Sequence, residues 1–302
     1  TDKSAFPSFA VELSLEGSPL CPATPPRLQG RISVVDADFP SYAQLEQMYS
    51  SSIDKGGRGR PLDCRARQKV AVVVPYRERD VQLRTLLQNL HALLTKQQLD
   101  YGIYVVQQIA NQTFNRAKLM NVGYVEATKD YNWDCIIFHD VDLIPEDDRN
   151  LYACLANPRH MSVAVDKFNY RLPYDAIFGG VSAMTRAHLE KVNGFSNDYW
   201  GWGGEDDDLS TRIFLAGFKI SRYPAGIARY KMFKHAHESS NKKNMCRYDL
   251  MKSTAQRWKS DGLSSLNYTV IESEQRPLYT NILVDLQYKE SIRRLRETFP
   301  GC

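Results

Sequence analysis

The run Val70-Ala71-Val72-Val73-Val74, stopped by Pro75 and followed by leucines at helical intervals, constrains this chain more than any other stretch. Five consecutive apolar residues leave no polar face, so as a strand they are buried on both sides. Val81, Leu83, Leu86, Leu87, Leu90, Leu93 and Leu94 then mark one face of a helix. The pattern repeats with a strand over residues 102–109, a helix over 116–128 and a third strand at Cys135-Ile136-Ile137-Phe138. Alternating elements with apolar strands predict an α/β fold with a mostly parallel sheet flanked by helices. Ligands of such sheets sit beyond the strands' carboxyl ends.

The second half is less regular. Residues 161–166 read as a strand, 186–192 and 209–217 as helices, with Gly- and Trp-rich loops between them. Residues 1–68, rich in Pro, Gly and Ser, read as an extended arm flanked at its end by Cys21 and Cys64. With 43% apolar and 25% charged residues in 302, the chain is neither disordered nor collagenous, and a formal charge of +4 is too small to imply nucleic acid. No stretch approaches the ~18 apolar residues of a membrane span. The start lacks Met and signal-peptide character, so the chain reads as a piece of a longer protein whose targeting segment is missing. Six Cys without zinc spacing, and the sequons at Asn111 and Asn267, favour an oxidising secretory compartment.

Three clusters carry candidate chemistry. Asp140-Val141-Asp142 follows the third strand, where two carboxylates one residue apart can address one divalent cation. Tyr199-Trp200-Gly201-Trp202-Gly203-Gly204 precedes four acids, Glu205 to Asp208. The acids could simply cap a helix. Flat aromatic faces beside carboxylates are also what deprotonating a sugar hydroxyl requires, and that reading is preferred. Met232-Phe233-Lys234-His235-Ala236-His237 offers a thioether and imidazoles, which suit a borderline transition metal better than Mg²⁺. Two basic clusters, Pro75-Tyr76-Arg77-Glu78-Arg79 and Phe114-Asn115-Arg116, follow the earlier strands, where guanidiniums can clamp a diphosphate and an aromatic can cover a base.

Together PYRERD, DYGIYVVQQ, FNRAKLMNVGY, FHDVDLIPEDD, PRHMSVAVDKF, LPYDAIFGGVSA, NGFSNDYWGWGGEDDD, MFKH and SDGLSSLNYTV resemble the β-1,4-galactosyltransferase family, inverting glycosyltransferases of the GT-A fold. The resemblance implies a catalytic domain over 69–290, with 1–68 as a stem remnant packed on it and 291–302 as a tail. It also implies disulfides Cys21–Cys64 and Cys135–Cys154. It implies a Mn²⁺ held by Asp142, Met232 and His235, and a UDP-sugar held by Pro75, Tyr76, Arg77, Glu78, Arg79, Phe114, Asn115, Arg116, Asp140, Val141, Lys167, Ile177, Gly180, Trp202 and His237. Tyr174, Gly204, Glu205, Asp206, Asp207, Arg247, Tyr248 and Met251 would meet a β-GlcNAc-terminated acceptor, with Asp206 as the base and Glu205 beside it. Residues 236–247 would close over the donor. The setting implied is the Golgi lumen, with a type II anchor outside this chain and room for an accessory subunit.

One departure bears on the donor. Vertebrate galactosyltransferases usually carry Tyr before Phe-Gly-Gly, where this chain has Ile177. The shorter side chain leaves space for a C2 acetamido group, so the resemblance is closest to the invertebrate β-1,4-N-acetylgalactosaminyltransferase branch and UDP-GalNAc is the expected donor. The alternatives are UDP-galactose, a non-catalytic carbohydrate-binding protein and a metal-dependent phosphohydrolase. Cys246 and Cys302, which the family pairing leaves over, are expected to form a third disulfide.

Overall fold

The computed structural model describes residues 17–35, 39–233 and 241–302. A short helix, α1 (Tyr42–Tyr49), lies within the stretch expected to be an extended arm. Its start is set by a reciprocal cap in which Ser41 and Gln44 bond each other's backbone, and it buries Leu45. Such a helix presents too few apolar residues to stand out from its Pro- and Gly-rich surroundings. The segment before the first sheet strand is closed on itself by the Cys21–Cys64 disulfide and held to the domain by backbone N–H groups of Gln29 and Gly30, which donate to the buried Asp148 carboxylate at 2.7–3.0 Å.

β1 (Lys69–Tyr76), α2 (Asp80–Lys96), β2 (Asp100–Gln108), α3 (Arg116–Asp130) and β3 (Cys135–His139) form the predicted alternation. Val70, Val72 and Val74 of β1 enter one apolar cluster while Ala71 and Val73 enter the other, so the two-residue period of the strand divides the core across the sheet. Each buried leucine of α2 contributes about 1.5–3 kcal/mol relative to exposure.

β4 (Leu143–Pro145), β5 (Arg159–His160) and β6 (Ala164–Val165) are short, and β7 (Val181–Thr185) leads into α4 (Arg186–Val192). Then come α5 (Glu205–Leu215), β8 (Arg229–Met232), α6 (Arg247–Lys252), α7 (Thr254–Arg257), β9 (Thr269–Gln275), β10 (Thr280–Asp285) and α8 (Tyr288–Thr298). The main sheet runs β5-β7-β3-β1-β2-β10-β9. Its centre, β3-β1-β2-β10, is parallel, and both flanks are antiparallel. A small sheet, β4-β8-β6, stands at its carboxyl edge.

Two sequence expectations are corrected. Residues 161–166 do not form one strand. β5 pairs with β7 in the main sheet, Met161 and Ser162 both donate to the Val181 carbonyl, and the chain then crosses to β6 in the small sheet. The helix expected from residue 209 begins at Glu205, so the four acids form its first turn, where the helix dipole favours negative charge.

Candidate active site

A cavity of about 810 Å³ opens at the carboxyl ends of β1 and β3, between the small sheet and the start of α5. One wall carries Pro75, Arg77, Arg79, Phe114, Arg116 and Val141. Arg77 is buried, donates to the Gln112 carbonyl at 2.6 Å and lays its guanidinium 4.8 Å from the Phe114 ring centroid. Arg116 joins three elements. Its Nε donates to Asp140 at 2.6 Å, one Nη approaches Glu205 at 3.5 Å and the other reaches the Gly180 carbonyl at 3.4 Å.

The opposite wall is aromatic and open. Trp202, Tyr174 and Tyr248 are 57%, 45% and 57% exposed, and Arg247 and Met251 lie beside them. Trp202 is fixed through its backbone, accepting from Asn244 at 3.0 Å and donating to Lys242 at 2.9 Å. Gly204, at φ +95°, caps α5 in the left-handed region, and a Cβ there would lie 2.9 Å from Tyr199. The first turn of α5 then aims Glu205, Asp206 and Asp207 into the cavity. Asp208 points away. It is fully buried, accepting from Arg212, Tyr199 and Thr254, and is a structural anchor for the helix.

The acids are not alike. Burial raises the proton affinity of Asp206, the neighbouring Asp207 charge raises it further, and Arg116 opposes both. Burial and Asp206 push Glu205 to about 7, against Arg116, and Glu205 Oε2 is buried without a hydrogen-bond partner among the described residues. Asp207 accepts from the Tyr174 hydroxyl at 2.9 Å. Gly179 passes so close to Asp206 that a Cβ would fall 2.4 Å from its Oδ2.

Asp142, directly before β4, and Met232, the last residue of β8, lie at the same end of the β4–β8 ladder. Leu143 pairs with Met232, Phe233 N–H donates to the Asp142 carbonyl at 2.7 Å, and both side chains border the cavity. A carboxylate beside a thioether is a mixed hard and soft donor pair suited to a borderline transition ion. His235 and His237, with the rest of 234–240, lie outside the described residues, and with them the first part, 236–240, of the expected closing segment.

Lys167, Ile177 and Gly180 also line the cavity. Tyr76, Glu78 and Asn115 do not. Asn115 is fully buried as the cap of α3, accepting from Lys118 N–H and donating to the Asn197 carbonyl, so its amide is spent on the fold. Sequence reasoning missed His160, Ser162, Phe168, Gly179 and Asn241 in the wall. Ser162 and His160 both approach the Gly179 carbonyl, at 3.1 Å each. No spacing signal marks them, because they reach the site through the crossing between sheets.

Residues 21–155 match the N-terminal region of glycosyl transferase group 7, and residues 159–236 match a model described as the N-terminal domain of galactosyltransferase. Bovine β-1,4-galactosyltransferase 3 is 51% identical over 272 residues, covering 90% of this chain and 68% of the relative. Chinese hamster (Cricetulus griseus) β-1,4-galactosyltransferase 2 is 49% identical over 269 residues, covering 89% and 73%. The catalytic domain of Drosophila β1,4-galactosyltransferase 7, solved with xylobiose, superposes with a TM-score of 0.61 at 31% identity over 72% of this chain and 94% of that one. A mutant of the same Drosophila enzyme, solved with manganese, UDP-Gal and xylobiose, superposes equally well at 28% identity. The α/β fold is therefore that of GT-A glycosyltransferases.

Proposed function

Because this chain belongs to the β-1,4-galactosyltransferase family, we propose that it moves a hexose from a UDP-sugar to the 4-hydroxyl of a terminal β-linked GlcNAc, with inversion. The observation that carries this reading is Asp206, half-buried with raised proton affinity, between a basic wall and an aromatic one. The basic wall fits a diphosphate, with Phe114 and Val141 against the uracil. The aromatic wall fits a sugar ring, with Arg247, Tyr248, Met251 and Tyr174 around the acceptor.

Asp206 takes the proton from the acceptor hydroxyl as that oxygen attacks the anomeric carbon from the face opposite UDP, which turns α into β. Glu205 and Asp207 flank the base, and Arg116 ties Glu205 to the diphosphate wall. Asp142 and Met232, with His235, would hold a Mn²⁺, as the donor pair fits and as the manganese-bound Drosophila relative supports. When bound there, the ion would offer positive charge to the diphosphate. The proposed setting is the Golgi lumen behind an N-terminal anchor, supported by three disulfides among the described residues. Among those residues no helix is long and apolar enough to cross a membrane.

The named relatives are galactosyltransferases, which favours UDP-galactose over the UDP-GalNAc expected from the sequence. UDP-GalNAc stands as a second reading on one observation. Ile177 lines the cavity two residues before Gly179, which abuts the base, and its side chain carries no hydroxyl to crowd a C2 acetamido group.

The test is an assay of the purified chain with UDP-Gal, UDP-GalNAc and UDP-Glc against free GlcNAc, with Mn²⁺ present or chelated. Acceptor-dependent UDP release that chelation abolishes is expected. Equal release without acceptor would make the protein a hydrolase, and binding without release a lectin.

A further inference from the structure

Helix α8 lies beyond both family matches, the later of which ends at residue 236, and none of its residues lines the cavity. Two segments of the aromatic wall, those carrying Trp202 and Tyr248, nevertheless lead back to it. The buried indole of Trp200 donates to Ser291 Oγ at 2.9 Å, and its ring meets Tyr288 edge-on with centroids 4.8 Å apart. Trp200 stands two residues before Trp202. On the other side, Cys246 directly precedes α6 and is bonded to Cys302, just past α8 and 56 positions further along the sequence.

The two ties close a ring. Cys246 N–H donates to Asn244 Oδ1 at 2.9 Å, and Asn244 N–H donates to the Trp202 carbonyl. From Cys302 the path returns through Phe299 and α8, whose Leu295 and Ile292 join, with Phe299, the apolar cluster that holds Leu250 of α6, to Ser291 and Trp200. α6 has only six residues, too few to hold a helical conformation without tertiary ties. The wall carrying Arg77 and Arg116 meets this ring on its Trp200 side, where Gly201 N–H donates to the Phe114 carbonyl at 2.8 Å and the Thr113 hydroxyl donates to Tyr288 at 3.4 Å, whereas the Cys246–Cys302 tie sits on the side of α6. Its α3 is tied to the chain ahead of α8 by Lys118, whose Nζ donates to the Leu286 carbonyl at 2.6 Å.

We propose that α8 and the Cys246–Cys302 bond form a brace that fixes the spacing between Trp202 and α6, making the C-terminal helix a positioning element for the acceptor sugar. The inference rests on the reading of this site as a glycosyltransferase with Arg247, Tyr248 and Met251 at the acceptor. The Cys246–Cys302 bond joins the ring on the side of α6, so cutting it has a one-sided consequence. Releasing it lets Arg247 and Tyr248 drift relative to Trp202, which weakens acceptor binding and leaves the diphosphate wall in place.

The experiment compares the wild-type chain with a Cys246→Ser/Cys302→Ser double variant and with Ser291→Ala. The double variant should raise the acceptor KM ~10-fold, leave the UDP-sugar KM within ~2-fold, and speed amide hydrogen exchange in residues 247–252. Ser291→Ala, which removes one buried hydrogen bond and keeps the disulfide, should raise the acceptor KM by up to ~5-fold. If the double variant fails to fold, Ser291→Ala decides alone through the same split. Both KM values rising together, or neither KM nor exchange changing, would overturn the brace. Should the wild-type chain transfer no sugar at all, the functional reading fails, and exchange in 247–252 still decides whether α8 holds α6.

Discussion

On one side of the cavity Arg77 and Phe114 are stacked and Arg116 is locked to Asp140, whereas on the other Trp202, Tyr174 and Tyr248 stand about half exposed. The first wall grows from the ends of central strands and from the cap of α3. Its guanidiniums are held by backbone carbonyls and a carboxylate before any ligand arrives, which keeps the ordering cost of binding low. The second wall is built from loops and from the six residues of α6, tied together by backbone pairs and a disulfide. A preordered charged wall suits a part that every donor shares. An open aromatic wall suits a part that varies, since flat rings accept many sugar surfaces and impose few hydrogen bonds.

Asp206 stands between the walls, so altering it gives the largest expected effect. Asp206→Asn should lower kcat by ~10²- to 10⁴-fold, the range for a lost general base, with UDP-sugar affinity kept. Calorimetry with UDP and steady-state rates together check this. Normal turnover at saturating acceptor would make Asp206 a binding residue and leave the chemistry unassigned.

Ile177 tests whether donor choice belongs to the stiff wall or to the junction. Ile177→Tyr should shift the ratio of kcat/KM for UDP-Gal over UDP-GalNAc upward by roughly 10- to 200-fold, the span that one added polar group commands. An unchanged ratio would place selectivity elsewhere, for example at Lys167 or Phe168 in the same wall. Gly179→Ala probes the same junction from the backbone, because its Cβ must displace Asp206 or the strand. A rate loss of up to ~10²-fold with intact UDP binding is expected, and wild-type kcat would show that the base tolerates displacement.

The two walls were also unequally legible in the sequence. β1 announced itself through five apolar residues, and with it the place of Arg77, while Asp140 and Asp142 followed from the end of β3. Residues at strand ends inherit their position from a pattern with a short period. Ser162 and His160 come from a crossing between two sheets, which depends on long-range pairing with β7 and β8. Asn115 and Asp208 sit in the right motifs and were spent on a helix cap and a buried anchor, a distinction that only packing reveals. β9 is exposed along its whole length, so no alternation betrayed it. In α8, Leu295 and Ile292 were readable as an apolar face, but Trp200 as its partner was not.

The smallest expected effect concerns protons, and it asks whether the aromatic wall tunes the base as well as the acceptor. The Asp206 carboxyl must be ionised to accept a proton, so kcat falls as pH drops through its pKa. Burial and the Asp207 charge hold that pKa above the usual aspartate range, which moves the acid limb of the profile to higher pH than an exposed carboxylate would give. Asp207→Asn removes the like charge while keeping an oxygen for the Tyr174 hydroxyl. The proton affinity of Asp206 then falls, and the acid limb of kcat should move to lower pH, whatever happens to the acceptor KM. Because kcat at saturation excludes acceptor binding, a limb that stays in place would show that Asp207 serves only the open wall. A limb that moves upward would contradict the like-charge argument itself.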